Sequence, residues 1–389
     1  MGTTAANALI RVTSLTSGRS TNGISRASVV TIWHHGPPSA RLSRPRNVAG
    51  TGRNATETGT TTSARYRRFA DLEARGYSPL YDEWCTGISD DTELLAMLDT
   101  LPPTRRQPVL FLGAVRFVGV PLDGFATFRS FVLARWPVIR QVMQTRTTQT
   151  NEAGRCAVLL PSLAAISAAE GRPLALIEVG ASAGACLYPD RYAYRYSPGP
   201  ALDPAGGSSV PALDCSTAGP VPFPQRLPDV VWRAGIDLNP LDARDGDDAR
   251  WLEALVWPEH TFRLERLRAA LGVVRSEPPL LVRGDLTEEI VPLVDRAPRD
   301  AVVVVFHSAV LAYVDAEGRN RFRETMLRFA AARDRPVHWL SHEGHGTLAG
   351  VDGAMERAPE ELDGRFVLQH NGRTVARTGP HGQSIEWLP

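Results

Sequence analysis

From Leu174 onward the chain alternates short β-branched runs with stretches of helical spacing, and no other feature restricts its fold as strongly. "LALIEV", "DVVWRAGID", "LLVRGD", "AVVVVFHSA" and "RPVHWLSHE" are apolar without strict alternation, which is how strands covered on both faces read. Helical segments between them imply crossover connections and hence a mostly parallel α/β sheet. "RFVLQHN" and "SIEWL" are expected to close it as an antiparallel pair. Residues 197–228 interrupt the pattern with a Pro- and Gly-heavy insertion, too rich in breakers for a crossover helix alone, so part of it is predicted as surface loop. "DARWLEALVWPEHTFRLERLRAAL" predicts one amphipathic helix packed on the sheet with a charged, solvated face. Tyr188, Tyr192, Tyr194 and Tyr196 alternate as a half-buried strand does.

Upstream, residues 65–172 read as an α-helical cap, with Ser89, Asp90 and Asp91 offering an N-terminal cap for the helix through Leu98, and Gly171 with Pro173 ending the last helix. Residues 1–64 are rich in Thr, Ser, Gly, Asn and Arg and poor in acids and sustained apolar period, which predicts a disordered extension; a transit peptide has the same composition. Lys and Arg (43) nearly balance Asp and Glu (42), so no overall field favours nucleic acid. Cys85, Cys156, Cys186 and Cys215 are dispersed, without the spacing of a zinc site or disulfide framework, which suits a reducing cytoplasm. No run is read as the roughly 18 apolar residues of a membrane span, and nothing speaks to oligomeric state.

The stretch "EVGASAG" admits two chemistries. Gly180-Ala181-Ser182-Ala183-Gly184 matches a GxSxG nucleophile elbow with Ser182 as a hydrolase serine, but no upstream strands or oxyanion loop accompany it. The other reading is a ligand-binding turn: Glu178 at a strand end, Gly180 and Gly184 for close backbone approach, and a helix N-terminus behind. A second strand supports it, since "GIDLNP" places Asp237 and Asn239 at the next carboxyl tip, where an acid takes the hydroxyls of a ribose. Asp285, after "LLVRG", is placed to take an adenine amine, and Phe306, His307 and Ser308 end a further strand where a reacting group would lie. This order, rich in acids and without a phosphate anchor, suits S-adenosylmethionine, a cationic nucleoside.

Together "EVGASAG", "GIDLNP", "GD" and "VARTGPHGQSIEWL" resemble the Rossmann-like class I methyltransferase fold, whose seven-stranded sheet ends in an antiparallel hairpin. More closely, "RYRRFADLEARGYSPLYDEW", "TQTNEAGRCAVLLP" and "HGQSIEWL" resemble a largely actinobacterial family, domain of unknown function 2332, over roughly residues 65–389. The resemblance implies a methyltransferase-type domain at 173–389 and S-adenosylmethionine-dependent transfer to a small-molecule acceptor. Glu178 and the Gly180–Gly184 loop would then seat the amino-acid portion, Asp237 the ribose and Asp285 the adenine. Ser182 stands where the pattern usually has glycine, and the loop lies much further from Asp237 than the roughly 20 residues of a compact unit. A non-catalytic nucleoside-binding or scaffolding protein on the same fold remains the alternative.

Gln149, Asn151, Glu152 and Arg155, in "RTTQTNEAGRC", form a polar junction that reads either as a wall meeting cofactor or substrate or as a helix cap. His307 reads as a general base or, equally, as a core histidine. His338, His342, Glu343 and His345 do not follow metal-ligand spacing, so no metal is expected, although His342 and Glu343 could contact substrate.

Overall fold

The computed structural model describes residues 61–207, 211–332, 334–335, 337–348 and 364–389, and contacts divide them into two units: 61–148 with 254–260, and 149–253 with 261–389. Residues 1–60 of the expected extension lie outside the described residues, whereas Thr62–Ala64 begin a helix, with the Thr61 hydroxyl accepting from the Ala64 amide.

The first unit is helical: α1 (Thr62–Phe69), α2 (Pro79–Asp90), α3 (Thr92–Asp99), α4 (Pro108–Val118) and α5 (Phe125–Thr145), with a π-turn at Ala70–Ala74. Local chemistry sets the boundaries. The Ser78 hydroxyl caps α2 with Pro79 next to it, and the Asp91 carboxylate accepts from the Glu93 and Leu94 amides to start α3. The cap expected at 89–91 thus falls on Asp91, while Ser89 and Asp90 end α2. Tyr66, Trp84, Phe111 and Phe128 are buried, with the Trp84 and Phe128 rings 4.4 Å apart. Residues 254–260 join this core through Trp257, which packs on Phe69 and Tyr81, and through Arg116, which donates to the Ala254 and Val256 carbonyls.

The second unit carries a sheet of β1 (Leu174–Val179), β2 (Ala193–Ser197), β3 (Ala201–Leu202), β4 (Ala212–Ala218), β5 (Val230–Asp237), β6 (Leu280–Arg283), β7 (Val302–Ser308), β8 (His338–Gly344), β9 (Phe366–His370), β10 (Arg373–Thr378) and β11 (Ser384–Trp387). Their order is β3-β2-β4-β11-β10-β9-β8-β7-β1-β5-β6. The strands β6-β5-β1-β7-β8 are mutually parallel, and β4 is parallel to both β2 and β11. Chain order within the first five makes the β1–β7 boundary a switch point, the place where open α/β sheets bind ligands beyond their carboxyl ends.

Every residue of β1 and β7 is buried, as continuous apolar strands covered on both faces must be. On one face Ala175, Ile177, Val179, Val303, Val305 and Trp339 pack against α9 (Leu286–Arg296) and α10 (Ala316–Ala330) through Ile290, Leu293, Phe322 and Met326. Each large side chain so buried contributes roughly 1.5–3 kcal/mol before entropy is counted. On the other face α6 (Cys156–Glu170) packs against β4, β7 and β9. The window Ala153–Glu170 is long and apolar enough by composition to cross a membrane, contrary to the expectation that no run is, but 67% of it is buried inside the protein.

Several sequence expectations are corrected. Strands β9 and β11 do not pair with each other; β10 lies between them, antiparallel to both. Its sequence, "RTVART", lacks an apolar pattern and becomes a strand through its two neighbours. The insertion at 197–228 contains β3 and β4, which join the sheet, while most of its other described residues form neither helix nor strand. The single helix expected around Trp257 is two, α7 (Gly246–Leu255) and α8 (Thr261–Ser276), separated at Pro258, which cannot donate to a helix. Behind the GASAG loop stands no long helix but a three-residue 3-10 turn, Ala185–Leu187, leading into β2. All four tyrosines are buried, but only Tyr194 and Tyr196 lie in β2, their rings stacked 6.1 Å apart.

Candidate functional site

The loop after β1 is tied to the tip of β5 rather than left open. Gly180 N and Ala181 N donate to the Ile236 carbonyl at 2.7 and 3.1 Å, and Ser182 N donates to Asp237 Oδ2 at 2.8 Å. That contact helps hold Ser182 at φ 53, a left-handed conformation unfavourable for a side-chain-bearing residue. Gly180 is left-handed too, and a Cβ there would run into the Val310 side chain, so at the switch point it is the protein itself that approaches the loop closely. Asp237 Oδ1 accepts from Asn239 N at 2.7 Å, and Gln149 Nε2 lies 3.5 Å from it. Gln149 also donates to the Asn239 carbonyl at 2.7 Å and accepts from Ser182 Oγ at 2.9 Å, while Asn151 Oδ1 accepts from Ala185 N at 3.0 Å. Ser182 Oγ is therefore engaged by a carboxamide, which gives it none of the activation a nucleophilic serine takes from a base.

Arg155 and Glu178 lie deeper. Arg155 is 3% exposed; its Nε donates to the Pro380 carbonyl at 3.1 Å, its Nη1 to the Ser308 carbonyl at 2.9 Å, and its buried Nη2 meets no partner among the described residues. Glu178 is 6% exposed, and its buried Oε2 is likewise unpartnered there. Burial, with the Cys186 thiol and Asp237 beside it, pushes the Glu178 carboxyl well above the usual range, against the opposing pull of Arg155. Asn151 Nδ2 is a third buried polar atom without a partner.

Glu152 and His342 are satisfied instead, whereas His307 Nε2 and Glu343 Oε2 are also buried without a partner among the described residues. Glu152 accepts from Arg263 Nε at 2.9 Å, Arg266 Nε at 2.8 Å and Gly154 N at 3.0 Å. Burial alone would raise its carboxyl, but the two guanidiniums overcome that and hold it down at about 2. These arginines, read from the sequence as part of a solvated face, are thus mostly buried partners of Glu152. His342 Nδ1 lies 2.5 Å from Ser308 Oγ and its Nε2 2.7 Å from Thr378 Oγ1. Burial, Arg155 and His307 keep its imidazole neutral, well below the usual histidine range. His307 sits on the α9–α10 face against Phe322 and Trp339, donating from Nδ1 to Glu343 Oε1 at 2.7 Å. Glu343 Oε1 also accepts from Val310 N and Leu311 N, at 2.9 and 3.1 Å.

The structure therefore brings Gln149, Asn151, Arg155, Glu178, Ser182, Asp237 and Asn239 to one edge of the sheet. His307 and Ser308, adjacent in β7, point to opposite faces, and Phe306 is buried beneath the edge. Asp285 is exposed and caps α9, accepting from Thr287 N at 2.8 Å. His338 pairs with His370 and Glu170, away from His342 and Glu343, so the histidine-rich stretch does not converge. Sequence reasoning missed that "NEAGRC" and "PHGQ" are mutual partners: Arg155 bonds Pro380, and a Cβ at Gly382, whose φ is 82°, would strike the Gly154 backbone. The only signal was that both stretches carry the family resemblance.

A large, mostly parallel sheet with helices on both faces, and polar groups gathered at its carboxyl edge, defines a mixed α/β protein. Residues 63–121 and 117–387 match the family described as an uncharacterized protein conserved in bacteria (DUF2332), and the chain belongs to it. No curated protein matches the chain.

Proposed function

We propose that the second unit binds S-adenosylmethionine and serves methyl transfer to a small-molecule acceptor. The observation that carries this reading is the pair of buried groups with open valences, the Arg155 guanidinium through Nη2 and the Glu178 carboxyl through Oε2, within electrostatic reach of each other beyond β1. An unmatched buried donor or acceptor costs about 1–3 kcal/mol, more when charged, so two at one strand tip point to a ligand that completes them. The α-ammonium and α-carboxylate of the cofactor's methionine portion are complementary to that pair, with Asn151 Nδ2 as a further donor. Asp237 at the next tip suits a ribose, and the strand order β6-β5-β1-β7-β8 suits a nucleoside ligand at this edge. When bound, the cofactor supplies an electrophilic methyl group; the chain's residues bind and orient it.

A second reading, ligand binding without transfer, is favoured by one observation: both candidate bases are committed, His307 to the α9–α10 face and His342 to two hydroxyls. Calorimetric titration of S-adenosylmethionine and S-adenosylhomocysteine into the full chain tests the proposal. Micromolar binding, weakened at least about tenfold in Glu178→Gln by loss of a buried charge-assisted contact, supports it. Absence of heat with both ligands overturns it, and binding without turnover across an acceptor screen leaves the second reading.

A further inference from the structure

Resting on that reading of the site, the geometry points to residues 149–151 as an intramolecular strap that fills the nucleoside position and has to be displaced by ligand. These residues have no helix or strand, and Gln149 and Asn151 lie against the GASAG loop by side-chain contacts. The Gln149 carboxamide places its N–H2 against the Asn239 carbonyl and Asp237 Oδ1 and its oxygen against Ser182 Oγ. A ribose diol needs the same set: an acid to receive hydroxyl protons and a donor to meet a hydroxyl oxygen. Asn151 adds a second occupation, its Oδ1 accepting the Ala185 amide just after the loop. One residue of the strap thus covers the acid at the tip of β5 while another covers a main-chain donor beyond β1.

Opening is inexpensive for such a segment. Every contact named is a side-chain hydrogen bond, the segment is half-buried, and no strand ladder has to break. Closing it also gives the Ser182 hydroxyl an acceptor when the site is empty. Apparent affinity is then the intrinsic affinity reduced by the fraction of molecules with the strap released.

The test is calorimetric titration of S-adenosylhomocysteine into the full chain, the Gln149→Ala variant and the Gln149→Glu variant. Removing the carboxamide's hydrogen bonds is expected to tighten binding about three- to tenfold. The glutamate, set against Asp237, is expected to tighten it further by repelling the strap from the acid. Hydrogen exchange supplies a second readout: ligand is expected to speed exchange at residues 149–151 while slowing it at 180–185. Weaker or unchanged affinity in both variants, or slower exchange at 149–151 on binding, overturns the strap and makes Gln149 a ligand-contacting wall. No binding by any of the three proteins overturns the cofactor reading, and the strap with it.

Discussion

Two polar clusters on the carboxyl half of the same sheet obey opposite rules. Across β7, β8 and β10, Ser308, His342 and Thr378 form a closed chain in which both ring nitrogens of a neutral imidazole are occupied. Beyond β1, Arg155 and Glu178 are as deeply placed, yet they and the half-buried Asn151 each leave a polar atom unmatched among the described residues. A closed network specifies a unique arrangement of strands; an open one lowers stability and persists where something else completes it. On the proposed function, the first cluster is structural and the second serves recognition.

The sharpest way to break this comparison is on its structural side. Beside the closed chain, Glu343 holds His307, Val310 N and Leu311 N with Oε1 while its Oε2 stays unmatched among the described residues, so Glu343→Ala should cost about 3–5 kcal/mol by urea unfolding, since three buried donors lose their acceptor. A loss under about 1 kcal/mol would show that the β7–β8 tip is not the rigid half. Acid titration comes next in size. His370, pushed down to about 4 from 6.5 by burial and by His338, stays neutral in the folded chain while the unfolded chain takes up a proton. Stability should therefore be unaffected by this group above pH 6.5 and fall between 6.5 and 4, with His342 adding in the same direction. Replacing His370 by Gln should flatten that limb of a stability–pH curve.

Smaller effects probe the recognition side. Gly180→Ala drives a Cβ into Val310 from a left-handed backbone and should destabilise by about 1–3 kcal/mol, with Val310→Ala restoring part of the loss in a double-mutant cycle. Glu178→Gln should do the reverse, raising stability by about 1 kcal/mol because it removes a buried, incompletely paired acid. Stabilisation together with weakened cofactor binding is the signature of a group kept for a ligand; destabilisation would return Glu178 to the structural cluster. Wild-type affinity for S-adenosylmethionine should also rise with pH beyond the usual carboxylate range, because an ammonium binds the ionised form of an acid whose free-state pKa is raised.

The central strands β1, β5 and β7 were legible, since each carries an apolar run with β-branched residues. Those that become strands through their neighbours were not: β3 has two residues, β4 places polar residues between its apolar ones, both beside Pro or Gly, and β10 is mostly Arg and Thr. The site was legible as a set of residue types at strand tips, and Asp237, Ser182, Gln149 and Asn151 do meet. Roles within it were not. A carboxylate that holds two guanidiniums, as Glu152 does, and one that caps a helix, as Asp285 does, look alike in sequence to one that waits for a ligand. Only hydrogen-bond accounting in three dimensions separates them.

Arg155 is anchored by carbonyls that lie 153 and 225 positions further along the chain. Contacts of such span form late, because loop closure must precede them, and they make for slow folding. The guanidinium that the proposed function offers to a ligand is therefore among the last parts of the protein to be fixed, and a fragment ending before Pro380 should fold its helices and central strands yet present Arg155 unsteadied.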